Sequence, residues 1–218
     1  RFPGLRAQRS GSSVVEVEHG GASLPYPGSL ARWYCRTIRR RMRALQLVER
    51  GKPLELREVS HPALADDDVM VAVTAAGICR SDVHYRAGFP RVGPLPLTLG
   101  HEVAGVVAAA GPAVRGLRAG DRVCVHYQVG CGTCDYCGRG FEQFCAAGKM
   151  IGNSRPGGYA DRIAVPARNI VAVPDEVSLE HAAVMMCSSA TSLHALRKGR
   201  TGAGDRVADT AHRTEGIE

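Results

Sequence analysis

From Asp68 onward the chain is a series of short apolar runs separated by glycine, proline and charged residues: VMVAVTAAG, HEVAGVVAAAG, DRVCVHY, YADRIAV and IVAVP. Short runs rich in β-branched residues and bounded by turn residues predict strands, and so many in succession predict a mainly β, barrel-like domain. Ahead of them, MRALQLVERGKPLELREV, opening at Met42, alternates apolar and polar positions as a first strand and hairpin would. After Pro174 the period changes. In SLEHAAVMMCSSATSLHALRKG, Leu179, Ala183, Met186 and Ala190 recur at helical spacing behind Ser178, a good N-cap, so a helix is expected to leave the barrel. GDRVA at 204–208 reads as the start of another strand, and the polar DTAHRTEGIE that follows continues no period.

Residues 1–41 have no sustained period and scattered Gly, Pro and Ser, which predicts a disordered leader with Met42 as the start of the functional unit. An organelle-targeting reading of this Arg-rich stretch is opposed by Gly20, Gly21, Pro25 and Pro27, which interrupt any amphipathic helix.

Composition narrows the function classes. At 218 residues and 44% hydrophobic content the chain can bury a domain-sized core. No apolar run approaches the roughly 18 residues of a membrane-spanning helix. The net charge of +7 suggests a polyanionic partner, but the eight Arg of residues 1–41, set against Glu16 and Glu18, account for +6 of it. The remainder is nearly neutral, so neither nucleic acid nor a membrane surface is an expected partner.

Four of the eight cysteines, Cys131, Cys134, Cys137 and Cys145, crowd into CGTCDYCGRGFEQFC. Their spacing suits tetrahedral metal ligation better than pairwise disulfides, and Gly132, Gly138 and Gly140 permit the tight reversals around an ion. Four thiolates close the shell and leave no position for substrate, so the expected role is to fold a lobe at 131–145 that has little apolar core. A disulfide pair or an iron centre is the competing reading of these residues. With no secretory signal at the start, this cysteine usage points to a reducing, cytoplasmic compartment.

Three other stretches each present a metal ligand: Cys79 in GICRSDVHY, His101 and Glu102 in LGHEVAG, and Cys187 in the later helix. Spacing alone does not assemble them, because an isolated Cys or His is more often packed or solvated than liganding. Their order is more specific. GICRSDVHY, GHEVAGVV, the GDRV turn and the cysteine quartet, in this sequence over residues 42–207, resemble the zinc-dependent medium-chain alcohol dehydrogenases.

The resemblance implies a GroES-like barrel with a zinc-binding lobe at 42–177, followed at 178–218 by a linking helix and the truncated start of an α/β nucleotide-binding domain. It implies a catalytic zinc on Cys79, His101 and Cys187, a structural zinc on the quartet, and Glu102 as a carboxylate able to approach the catalytic metal. Ser81 and His84 match the proton-relay positions, Asp82 the partner of the second His101 ring nitrogen, and Arg80 a cation against the pyrophosphate of NAD(P). The implied reaction interconverts a small alcohol and an aldehyde or ketone by hydride transfer. Polyol-type relatives tend to carry a carboxylate in place of Cys187, which favours an alcohol, yet SDVHY is shared with the polyol pattern, so the substrate stays open. Cys35 and Cys124 match no ligand position and read as plain thiols.

GAGDRV at 202–207 lacks the third glycine of a dinucleotide fingerprint and precedes the expected strand instead of following it. These residues by themselves are therefore expected not to turn over, and the competing class is a non-catalytic zinc-binding module. Apolar helix surface around Cys187 would then stand uncovered and favour a homo-oligomer.

Overall fold

The structure is a computed structural model and describes residues 14–16, 41–89 and 92–207. The expected disordered leader falls mostly outside these residues. Its described part, β1 (Val14–Glu16), lies antiparallel along β4 (Asp68–Gly77), with Val14 opposite Gly77.

Strand β4 is the spine of the domain. Alternate residues Val69, Val71 and Val73 point to one face of the sheet and are buried together with Val103, Val107, Val123, Val125, Ile163 and Val165. The sheet runs β1, β4, β6 (Glu102–Ala110), β7 (Arg122–Val125), β11 (Ile170–Ala172), and β10 (Arg162–Pro166) pairs with the first half of β4. β-Branched residues at every second position suit this pleated, one-sided packing, and the register shifts between β4 and β6 at Met70/Val71 and Val73/Ala75 curl the sheet toward a barrel. A second sheet, β3 (Glu55–Ser60), β2 (Arg41–Leu47) and β5 (Leu97–Thr98), covers a core of Leu47, Tyr85, Val92, Leu97 and Leu99. The mainly β architecture is the one expected.

The other face of the main sheet is closed by α3 (Leu179–Val184), whose Ala182 and Ala183 pack on Ala75, Ala104 and Cys124. Ser178 caps it as expected, its Oγ accepting the His181 N–H at 3.3 Å. The helix does not continue evenly. Met185–Ser189 form a π-helical turn before α4 (Ala190–Lys198), and Cys187 sits inside that turn. Such single-turn bulges re-aim side chains and are common at functional sites. Every residue of α4 after Ser189 is exposed, Leu193 and Leu196 included.

Four short elements lie around these sheets. Helix α1 (Arg80–Ala87) follows β4 directly, and the pair β8 (Gln128–Val129) and β9 (Lys149–Met150) forms the base of the lobe that holds α2 (Asp135–Gly138). Residues 204–207 form no strand, in contrast to the reading of GDRVA. Asp205 instead accepts the Gly202 N–H at 2.7 Å and closes a turn through Gly204 at φ +91°, and among the described residues no strand pairs with this segment to supply a ladder. Among the described residues, no helix is long and apolar enough to cross a membrane.

Gly105 faces the backbone of β4, where an added Cβ would overlap the Ala72 carbonyl oxygen. Gly105→Ala therefore pushes apart the two central strands. It should destabilise the domain by about 3 kcal/mol, read as a lower urea midpoint with an unchanged slope.

Candidate metal centres

The quartet comes together in the lobe. Cys131, Cys134, Cys137 and Cys145 place their sulfurs within 4.8 Å of one another. Gly132 at φ +82° and Gly140 at φ +73° take backbone conformations that a side chain resists, and so let the chain wrap the cluster. The Cys131 and Cys137 sulfurs are 3.9 Å apart. A tetrahedron with metal–sulfur bonds of about 2.3 Å has an edge of about 3.8 Å, so the spacing fits a metal ion and is far too long for a disulfide. Backbone N–H groups already point at the sulfurs: those of Thr133 and Cys134 at Cys131 Sγ, and that of Cys131 at Cys145 Sγ, 3.3 Å away. Bonds from Thr133 and Cys134 hold the Cys131 thiol well below its ordinary range. From the barrel side, Arg168 donates to the Gly130 carbonyl and braces the start of the lobe.

The second cluster is built by strand register. Gly77 at the end of β4 is paired with Glu102 at the start of β6, so the residues just beyond each strand, Cys79 and His101, meet at the same sheet end. A Cβ on Gly77 would overlap the Glu102 carboxylate, which explains a glycine there. The π-helical turn brings in Cys187. One ligand atom from each of Cys79, His101, Glu102 and Cys187 lies within 4.8 Å of the others, and the two sulfurs are 3.9 Å apart, again the edge of a thiolate tetrahedron.

Asp82 organises this cluster. Its Oδ2 accepts the Cys79 N–H at 3.0 Å and the Tyr159 hydroxyl at 2.9 Å. Its Oδ1 faces His101 Nδ1 at 3.5 Å, and among the described residues neither of these two buried atoms has another partner. The second ring nitrogen, Nε2, is thus left for the cluster. Burial opposes a charged imidazole, but Asp82 and Cys79 outweigh it and raise the His101 pKa to about 10. Burial, reinforced by the charge of Cys79, raises Glu102 to about 7. Cys79 is held far down as a thiolate by the Cys187 thiol and by His101, while Cys187 is pushed up by that same thiolate and by burial. Three acidic groups and one base are thus crowded into a poorly hydrated space, an arrangement that a divalent cation would relieve.

A model of the alcohol dehydrogenase GroES-like domain matches residues 65–175. The chain belongs to the alcohol dehydrogenase GroES-like domain family. It is 38% identical over 169 residues to an alcohol dehydrogenase of Geobacillus stearothermophilus, covering 77% of this chain and 50% of that one. An NAD-dependent alcohol dehydrogenase of Saccharolobus solfataricus is 39% identical over 167 residues, covering 72% of this chain and 48% of the relative. The solved structure of a cobalt- and zinc-bound thermostable alcohol dehydrogenase from Pyrobaculum aerophilum superposes with a TM-score of 0.68 at 34% identity, over 72% of this chain and 48% of that chain. The chain spans about half the length of the curated relatives it matches.

Within this alcohol dehydrogenase domain, the residues singled out in the sequence divide by position. Ser81 stands beside the cluster, its Oγ 3.5 Å from Cys79 Sγ. His84 lies one helical turn further along α1 and is exposed, as is Arg80 at the first turn of that helix. Cys124 is buried in the sheet, far from a ligand role, and Cys35 lies outside the described residues. Sequence reading missed two aromatic residues. Tyr159 anchors Asp82, and Tyr127 sets its ring edge-on to His101 with centroids 5.5 Å apart. A tyrosine directly after the Gly157–Gly158 pair was the available signal for the first, though nothing in its spacing linked it to position 82.

The raised pKa of Glu102 makes a prediction with a definite sign. The folded, metal-free chain holds a proton to about pH 7 that the unfolded chain releases near 4.5, so this group favours folding below pH 4.5 and loses that contribution as pH rises through 7. In EDTA-treated protein, Glu102→Gln should therefore flatten the fall in urea midpoint between pH 5 and pH 8. An identical fall in both proteins would show that Glu102 keeps an ordinary pKa.

Proposed function

We propose that this domain is the catalytic half of an NAD(P)-dependent alcohol dehydrogenase that interconverts an alcohol with an aldehyde or ketone. Cys79, His101 and Cys187 would hold a catalytic zinc and the quartet a structural one. The observation that carries this reading is the convergence of two thiols, a buried imidazole and a buried carboxylate from three separate stretches at tetrahedral spacing. A zinc ion there would supply Lewis acidity to an alcohol oxygen, and a nicotinamide cofactor the hydride acceptor.

The protein's own groups supply the rest. Asp82 holds the His101 ring with Nε2 toward the thiols. Ser81, beside Cys79, takes the proton leaving the alcohol oxygen, and His84, exposed one turn on, passes it to water. Glu102, raised by burial to about 7, is able to enter or leave the ligand set near neutral pH. Exposed Arg80 at the start of α1 is assigned to the cofactor pyrophosphate.

Residues 42–177 form the barrel on this reading, and 178–218 lead toward a nucleotide-binding domain. These residues alone are expected to bind metal without turnover, because GAGDRV lacks the third glycine of a dinucleotide fingerprint. Thiol ligands in both centres suit the reducing cytoplasm. Exposed Met185, Leu193 and Leu196 support association with a second copy.

Zinc per chain, by elemental analysis of the purified protein and of Cys187→Ala, tests the assignment. Close to two zincs falling to one is the expected result. One zinc in both proteins would restrict metal binding to the quartet and leave a non-catalytic zinc module.

A further inference from the structure

We propose that Tyr159 is a positioning residue for the Cys79–His101–Cys187 centre, fixing the His101 ring through Asp82. The proposal rests on the assignment of a metal ion to that centre. Tyr159 is pinned by its backbone: its N–H donates to the Leu99 carbonyl at 3.0 Å and its own carbonyl accepts the Leu45 N–H at 2.7 Å. On the preceding residue, the Gly158 N–H donates to the Gly100 carbonyl at 2.8 Å. The phenol is therefore held against the segment that runs directly into His101.

Gly100 accommodates it. At φ +93° this residue takes a conformation that favours glycine, and a Cβ there would overlap the Tyr159 ring. The glycine of the GHE motif thus serves the tyrosine as well as the backbone turn before the ligand.

The hydroxyl has one proton and two acceptors in reach, Asp82 Oδ2 at 2.9 Å and the Gly77 carbonyl at 3.1 Å. The charged carboxylate takes the stronger bond. Asp82 Oδ2 then receives donors from two distant parts of the chain, the Cys79 N–H and the Tyr159 hydroxyl. With that oxygen tied on both sides, the carboxylate cannot turn about its last bond, and Oδ1 stays aimed at His101 Nδ1. Cys79, a ligand in its own right, is tied to the same oxygen through its N–H. Among the described residues the Tyr159 hydroxyl bonds to Asp82 and Gly77 and not to a candidate ligand, so it acts by holding the carboxylate that orients one ligand and anchors another.

Tyr159→Phe keeps the ring and removes the hydroxyl. Zinc competition against a chromophoric chelator, on the full chain, measures the two sites, and Cys187→Ala identifies the one at Cys79. Tyr159→Phe should weaken that site about tenfold while leaving the quartet zinc unchanged. The loss should largely vanish in an Asp82→Asn background. Cobalt(II) at the same site should show a shifted visible absorption band in Tyr159→Phe. Unchanged affinity and absorption would overturn the proposal, as would a loss that adds in full to that of Asp82→Asn. Weakening of both sites together, with altered far-UV circular dichroism, would overturn it by showing a role in the fold alone. A parent chain that never takes up a second zinc would overturn the metal assignment itself, and the proposal with it.

Discussion

The antiparallel register of β4 against β6 is the constraint on which the rest of the molecule depends. Because Gly77 stands opposite Glu102, the loop leaving one strand and the loop entering the other emerge side by side. Each loop carries a potential ligand next to the strand end, Cys79 two residues after β4 and His101 directly before β6. A slip of one residue would turn every valine of the core face toward the helix side and separate those ligands. The core of Val69, Val71, Val103, Val107, Val123 and Val125 therefore holds the site as well as the fold, since it sets the register from which the site follows.

Electrostatics makes that site costly without a cation. His101, Glu102 and Asp82 are 3%, 4% and 5% exposed, and a thiolate at Cys79 adds charge to a space that water enters poorly. Isolated charges in such surroundings are expelled, neutralised or paired. Here the pairing is incomplete: among the described residues Asp82 Oδ1 and His101 Nδ1 have only each other, while Glu102 and Cys187 are pushed toward their protonated forms. Groups so crowded and so imperfectly satisfied are what a metal centre requires of its protein, because binding the ion displaces protons and supplies the missing charge. The quartet obeys a different logic. It lies in a lobe with exposed Tyr136 and Phe144, where little apolar core competes with the ligands to define the fold.

The junction between α3 and α4 shows how a local change of helical pitch places a candidate ligand. The apolar spacing of Leu179, Ala183, Met186 and Ala190 reads as one uninterrupted helix, yet the chain widens into a π-helical turn at Met185–Ser189. Ala182 and Ala183 are held against Ala75 and Ala104 by packing, whereas Cys187 lies among atoms with which it could share a metal. The widened turn lets both demands be met by one helix.

The sequence by itself determined the strands of the barrel between Asp68 and Ala172, the capped helix and the candidate ligand set of CGTCDYCGRGFEQFC, though not β1 in the leader or the turn at Gly204. Alternation, β-branching, N-cap chemistry and ligand spacing are local properties, legible wherever neighbours along the chain are also neighbours in space. It also marked Cys79, His101, Glu102 and Cys187, but only through a resemblance of ordered motifs, because their separations along the chain say nothing about distance. Tertiary structure decided how these four meet, through strand register and a π-helical turn, and showed Asp82, marked through the same resemblance as the partner of His101, tied also to its own helix N-terminus. It alone linked Tyr159 to Asp82, since a bond across 77 positions of sequence depends on how sheets curl and not on any local preference.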